Sequence, residues 1–357
     1  MIWIDSDGGV DDALAIAVAC KIVSGHKIAF STVFGNVSAR QAAHNIRTLL
    51  HRLGVDAPIL VGAERASDGF AQSATDIHGL DGLGNVIGEV RPDEQFDSLS
   101  ESIESPLERA RWLNEDVHIL SIGPATNIPS IARMLGAERI SGITMMTGAI
   151  FDKGNITEDA EFNAYNDPIA LANILHSGIP ITIVPLDICR KLIFRREDLT
   201  SLSTFGAAAP MLSEAHKFYM ASYEQAEGIS GCFPHDTIAL LSMLYPSKFN
   251  FWRIPFDVDS STDHRGQLRF DINGAYHARF CLGGDLRWVR QFMRSWSILA
   301  SSRELRHALQ MGARNWLDLG RDPWRACTRT SAGRRHSDRT VRTAGGPDPG
   351  IDLPQHP

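Results

Sequence analysis

MIWIDSDGGVDDALAIA (residues 1–17) opens on a short apolar run, crowds Asp5, Asp7, Asp11 and Asp12 around Gly8 and Gly9, and then turns apolar again. Ile2 to Ile4 reads as a short buried strand, and DDALAIAVACKIV (residues 11–23) carries apolar residues at helical spacing. The acidic segment is therefore expected to be a strand-to-helix turn in an α/β unit. The glycines permit a tight turn, and Asp11 and Asp12 fall in the first helical turn, where the macrodipole favours anions. Capping accounts for one or two of these carboxylates but not for four. Like charges this close raise one another's pKa, a cost that a cation or a shared proton offsets. The plain alternative is a solvated acidic turn.

Outward from this turn the pattern alternates. KIAFSTVFG (27–35), VHILSIG (117–123), ISGITMMTG (140–148) and PITIVPLDI (180–188) are β-branched or apolar runs, and helical segments follow most of them, such as SARQAAHNIRTLLHRLG (38–54). Strands alternating with helices predict a mostly parallel open sheet with helices on both faces, in a single large domain. Ligands of such sheets bind beyond the carboxyl ends of the strands. Chemistry is expected at the Asp cluster, at Asn36, at GPATN (123–127) and at TGAIFDKGN (147–155). DGFAQSATDIHGLDGLGNVIG (68–88), with His78, reads as a long loop over the site. EDAEFNAYNDPIAL (158–171) and CFPHDTIALL (232–241) each place polar residues just before a helical run, where ordinary capping is the simpler explanation.

Composition narrows the class. The chain has 357 residues, 43% of them hydrophobic, enough to bury a large core. No apolar run approaches the roughly 18 to 20 residues needed to span a bilayer, and the first residues do not read as a signal peptide, so a cytoplasmic protein without membrane attachment is expected. Five scattered cysteines without CxxC spacing argue against a disulfide framework and a zinc site. The formal net charge is -7, but residues 301–357 hold ten Arg, no Lys and six Asp or Glu, a balance of +4 that leaves -11 on residues 1–300. Nucleic acid is an unlikely partner for such a body. We expect a domain over 1–312 and an Arg-, Gly- and Pro-rich tail over 313–357 with the composition of a disordered segment.

Three motifs compete for the opening turn. An EF-hand loop fails, because Ile16 stands where a bidentate Glu is needed. IDSDGGV (4–10) resembles the Asp-x-Asp-Gly motif of haloacid-dehalogenase-type phosphatases, but GGDLRWV (283–289) lacks a second acidic metal ligand and that reading leaves Asp11 and Asp12 without a role. DSDGGVDDALAIA (5–17) resembles the Asp-x-Asp-x-x-x-Asp-Asp signature of the inosine-uridine-preferring nucleoside hydrolases. The likeness continues in order through FGN (Asn36), IHG (His78), IGPATN, MTG, GN (Asn155), AEFN (Glu161 to Asn163), NDP (Asp167) and HD (His235, Asp236), over about residues 1–300. Gly8 and Gly9 replace the Pro usual in the first turn, Thr237 replaces the Pro usual after His-Asp, and the tail has no counterpart.

The resemblance implies a Rossmann-like nucleoside hydrolase fold and a hydrolase acting on N-glycosyl bonds. It would release free base and ribose from purine or pyrimidine nucleosides, in nucleoside salvage, using a calcium-bound water. It implies Ca²⁺ held by Asp7, Asp12, Asp236 and the carbonyl of Ile122, with Asp5 orienting its neighbours; an all-oxygen set suits that hard cation. Asp7 is expected as general base and His235 as acid to the leaving base. Asp11, Asn155, Glu161 and Asn163 are expected on the ribose, and Asn36, His78, Phe162, Tyr223 and His235 on the base. The family also implies a homodimer or homotetramer. A calcium-binding relative without turnover and the phosphatase reading stand as alternatives.

Overall fold

The computed structural model describes residues 1–23, 27–100 and 116–296, all within one compact unit. The expected boundary at residue 312 and the tail beyond it lie outside the described residues. The strands are β1 (Ile2–Ser6), β2 (Ile28–Thr32), β3 (Ile59–Val61), β4 (Asp97–Ser98), β5 (Val117–Ser121), β6 (Ile140–Met146), β7 (Ile181–Val184), β8 (Phe249–Val258), β9 (Leu268–Phe270) and β10 (Tyr276–Gly284). They form one sheet in the order β4-β3-β2-β1-β5-β6-β7-β10-β8-β9. Pairing is parallel from β4 through β7 to β10; β8 and β9 add an antiparallel edge. The four strands read from the sequence as repeated apolar runs are β2, β5, β6 and β7. The antiparallel edge was not foreseen, since its strands carry no helix between them to mark an α/β unit.

β1 is buried along its whole length because it has parallel neighbours on both sides. Its side chains alternate between two cores: Ile2 and Ile4 join one, Trp3 the other. The first core is closed by α1 (Val10–Ile22) and α2 (Ala39–Leu53). The opposite face is covered by α4 (Ile128–Leu135) and α6 (Pro168–Leu175), after the short helices α3 (Thr75–His78) and α5 (Phe162–Asn166) in chain order. α7 (Leu186–Cys189), α8 (Ala209–Glu227), α9 (His235–Leu244) and α10 (Leu286–Ser295) return to the first face. α1 is buried on every side from Val10 to Ala19, because α2, α8 and α9 surround it. α2 follows its sequence signals: Ser38 accepts from the Gln41 amide at the start, and Gly54 ends it in the left-handed region. No helix among the described residues is long and apolar enough to cross a membrane.

Candidate active site

The chain leaves β1 toward β2, β3 and β4 on one side and comes back to β5 on the other, so strand order reverses at β1. Such a reversal opens a crevice at the carboxyl ends of the two strands. Asp7 follows directly from the end of β1 into that crevice. Gly8 has φ 73°, and a Cβ there would stand 2.6 Å from the Ala42 Cα. A Cβ on Gly9 would stand 2.6 Å from His78 Nδ1. The glycine doublet lets α2 and the His78 loop press against the turn.

Asn36 ties the carboxylates together. Its backbone amide donates to Asp7 Oδ2 (2.8 Å), and its Nδ2 donates to Asp7 Oδ1 (2.9 Å) and Asp12 Oδ2 (3.2 Å). Asp12 also accepts from the Ser6 hydroxyl (2.6 Å) and the Gly9 amide (3.0 Å). Asp236, at the start of α9, completes a group with Asp11 and Asp12 whose oxygens lie within 4.8 Å of one another, all buried. Burial above all, then mutual repulsion, pushes Asp7, Asp11 and Asp236 well above the usual carboxylate range, and burial raises Asp12. A dry set of oxygen donors that repel one another fits a hard divalent cation such as Ca²⁺. Asp11, expected on the ribose, is part of this convergent group. Ile122 is buried at the end of β5, its amide bonded to the Asp5 carbonyl (2.8 Å). Asp5 lies under the turn: the Ser31 hydroxyl and Asn127 Nδ2 (2.8 Å) donate to its Oδ1, its Oδ2 is buried without a partner, and burial pushes its pKa up to about 7.

Glu161, Asn163 and Asn155 are stitched to one another and to the end of β6. Glu161 caps α5, taking the Asn163 amide on Oε1 (2.9 Å) and the Ala164 and Gly148 amides on Oε2 (3.0 and 2.8 Å). Asn163 Nδ2 donates to the Met146 carbonyl (3.0 Å), and Asn155 Oδ1 accepts from the Phe162 amide (2.8 Å).

On the other side, Tyr223 Oη lies 2.9 Å from His235 Nε2, and the Tyr219 hydroxyl donates to Tyr223 (3.4 Å). Tyr219 is also within hydrogen-bonding reach of Asp11. His235 Nδ1 is buried with no partner. Burial, then the positive Arg190 guanidinium, holds the His235 pKa down to about 3, so the ring is neutral. His78 Nδ1 accepts from the Val10 amide (3.0 Å) at the start of α1, and its ring packs 4.7 Å from Tyr219, whose own ring lies 4.9 Å from Tyr223. Phe162 is half-buried at the start of α5. Asn36, bonded to Asp7 and Asp12, also stands beside His78: a Cβ on Gly9 would meet Asn36 Nδ2 at 2.4 Å and His78 Nδ1 at 2.6 Å. Sequence reading missed Tyr219, Arg190 and Asp187, and gave Asn127 no role of its own within GPATN. The four-residue spacing of Tyr219 and Tyr223 on α8 was the one signal available for the first of them.

The arrangement has counterparts. A profile described as inosine-uridine preferring nucleoside hydrolase matches residues 2–290. The chain belongs to the inosine-uridine preferring nucleoside hydrolase family. It is 32% identical over 253 residues to uridine nucleosidase 1 of Arabidopsis thaliana, covering 70% of this chain and 75% of that one. It is 31% identical over 288 residues to a non-specific ribonucleoside hydrolase of Escherichia fergusonii, covering 79% of this chain and 90% of that one. A solved plant nucleoside hydrolase superposes with a TM-score of 0.71 at 25% identity, over 82% of this chain and 97% of the other. A purine-preferring ribonucleoside hydrolase from Gardnerella vaginalis shares the fold, with a TM-score of 0.71 at 23% identity, over 88% of this chain and 99% of the other.

Proposed function

We propose that this nucleoside hydrolase cleaves the N-glycosidic bond of ribonucleosides to free base and ribose, with Ca²⁺ held by the aspartates of the opening turn and Asp236. The observation that carries the reading is the convergence of buried carboxylates at the β1 crevice beside a neutral His235 hydrogen-bonded to Tyr223. The relatives named as a uridine nucleosidase and a ribonucleoside hydrolase support the substrate class.

Departure of the base builds positive charge at the anomeric carbon, so the site must supply negative charge, a nucleophile and a proton for the base. The aspartates meet the first need in a water-poor site, where electrostatic interactions are strong. Calcium, when bound, supplies Lewis-acid chemistry that eases deprotonation of a water and polarises the sugar hydroxyls. Asp7, with both oxygens oriented by Asn36, takes the proton of the attacking water. Asp11, Asn155, Glu161 and Asn163 hold the ribose hydroxyls, with Ile122 contributing its carbonyl to the cation and Asp5 fixing the turn from below. Phe162, His78 and Tyr223 shape the base side, and His235 hands a proton to the departing base.

The test is incubation of the purified protein and Ca²⁺ with a panel of purine and pyrimidine ribonucleosides, reading free base and reducing sugar. We expect both products in equal amounts, released far more slowly by the Asp7→Asn variant. Absence of base release from every nucleoside overturns the reading.

A further inference from the structure

The segment Ala149–Ala160 between β6 and α5 carries Asn155, yet its outer part has little packing of its own: Phe151, Asp152 and Lys153 are exposed. As far as Gly154 it is held by α7 and by Arg190 just after it. The Leu186 amide donates to the Gly148 carbonyl (2.9 Å). Asp187 accepts the Ile150 and Phe151 amides (3.0 and 2.8 Å). Arg190, immediately after α7, donates from Nη1 to the Lys153 carbonyl (2.6 Å) and from Nη2 to the Gly154 carbonyl (2.9 Å), with Asp152 Oδ1 3.5 Å from Nη1. Past Gly154 the segment closes on itself, the Gly154 amide donating to Glu158 (2.8 Å) and the Asn155 amide to Ala160 (3.1 Å). The last fastening before Asn155 is therefore the Arg190 fork.

We propose that Arg190, seconded by Asp187, is a positioning residue that presents Asn155 to the substrate's ribose. The proposal rests on the reading of Asn155 and Glu161 as ribose contacts. A guanidinium suits the task because its planar fork serves two adjacent carbonyls at once, while an ammonium is a point donor. α7 also abuts α9 directly, through Cys189 Sγ at 3.9 Å from the His235 carbonyl. One short helix thus joins the ribose segment to the start of α9.

The experiment pairs hydrogen exchange with kinetics in full-length protein carrying Arg190→Gln, Arg190→Lys or Arg190→Ala. In Arg190→Gln the amides of residues 150–156 should exchange at least about ten-fold faster, while those of β1 and β5 keep their rates. KM for uridine and inosine should rise about ten-fold with a smaller change in kcat, as expected for a lost ground-state contact. Arg190→Lys should recover part of the affinity, and added guanidinium should recover it in Arg190→Ala. Unchanged exchange at 150–156, faster exchange spread over the whole chain, or a fall in kcat at constant KM overturns the proposal. Because exchange needs no turnover, a wild-type protein inactive on every ribonucleoside is told apart: it overturns the ribose reading on which the proposal rests.

Discussion

The Tyr223 hydroxyl sits 2.9 Å from Nε2 of His235, and the other ring nitrogen, Nδ1, is buried with no partner. The Tyr219 hydroxyl donates in turn to Tyr223, so a line of hydroxyls ends on the ring. In the tautomer whose Nε2 accepts the Tyr223 proton, the ring carries its own proton on Nδ1. A proton given from Nδ1 to the departing base would then be replaced at Nε2 by the Tyr223 proton, leaving His235 neutral and Tyr223 to be reprotonated from solvent.

His235→Ala should slow inosine or uridine hydrolysis by roughly 10² to 10⁴. On 4-nitrophenyl riboside, whose leaving group is a stable anion, the same variant should run near the wild-type rate. Tyr223→Phe keeps the ring and removes the hydroxyl, so it should show a smaller loss, about ten-fold, with the same substrate pattern. Parallel losses on both substrates would mean that His235 binds or packs and does not protonate.

The raised carboxylates set a pH dependence of stability. Asp5 at about 7, with Asp7, Asp11 and Asp236 well above their ordinary values, means that the metal-free folded chain holds more protons than the unfolded one. Stability then falls as pH rises. Above about pH 7.5 the buried histidines, held low in the folded state, are neutral there and largely neutral in the unfolded chain, so between about pH 7.5 and 9 the carboxylates control the slope. In chelator, Tm should drop across this window; saturating Ca²⁺ should raise Tm and flatten the dependence. At free calcium 100 times Kd the gain is roughly 2.7 kcal/mol. A flat chelator curve with no calcium response, measured by calorimetry, would refute the metal site.

Asn36 donates three hydrogen bonds to Asp7 and Asp12, so Asn36→Ala should leave those carboxylates less well oriented. We expect kcat to fall about ten- to hundred-fold on both uridine and 4-nitrophenyl riboside, because water attack is common to the two. Asp7→Asn should be slow on both as well, and more severely. A loss confined to uridine would place Asn36 with the base instead.

At Gly8 the φ of 73° and the 2.6 Å approach to Ala42 leave no room for a side chain. Gly8→Ala should destabilise by about 1–3 kcal/mol, seen as a lower midpoint in urea unfolding. An unchanged midpoint would show that α2 and the turn part freely.

The sequence alone determined the α/β class and the parallel strands that carry the site. β1, β2 and β5 to β7 are short apolar runs with turn signals at their ends, and burial on both faces demands that composition whatever surrounds them. It also determined that Asp5, Asp7, Asp11 and Asp12 share one turn, since eight residues around two glycines cannot spread far apart. It did not determine which side chain meets which. Asp236 is more than 220 residues from Asp12, and only the packing of α9 against α1 brings them together. Likewise, His78 reads in sequence as one polar residue in a glycine-rich loop. The fold turns its Nδ1 onto the Val10 amide, because the start of a buried helix needs an acceptor there and water cannot supply one. The antiparallel edge and the Arg190 fork were invisible for the same reason. A side chain's partners across the sheet depend on how layers stack, and local periodicity carries no record of that.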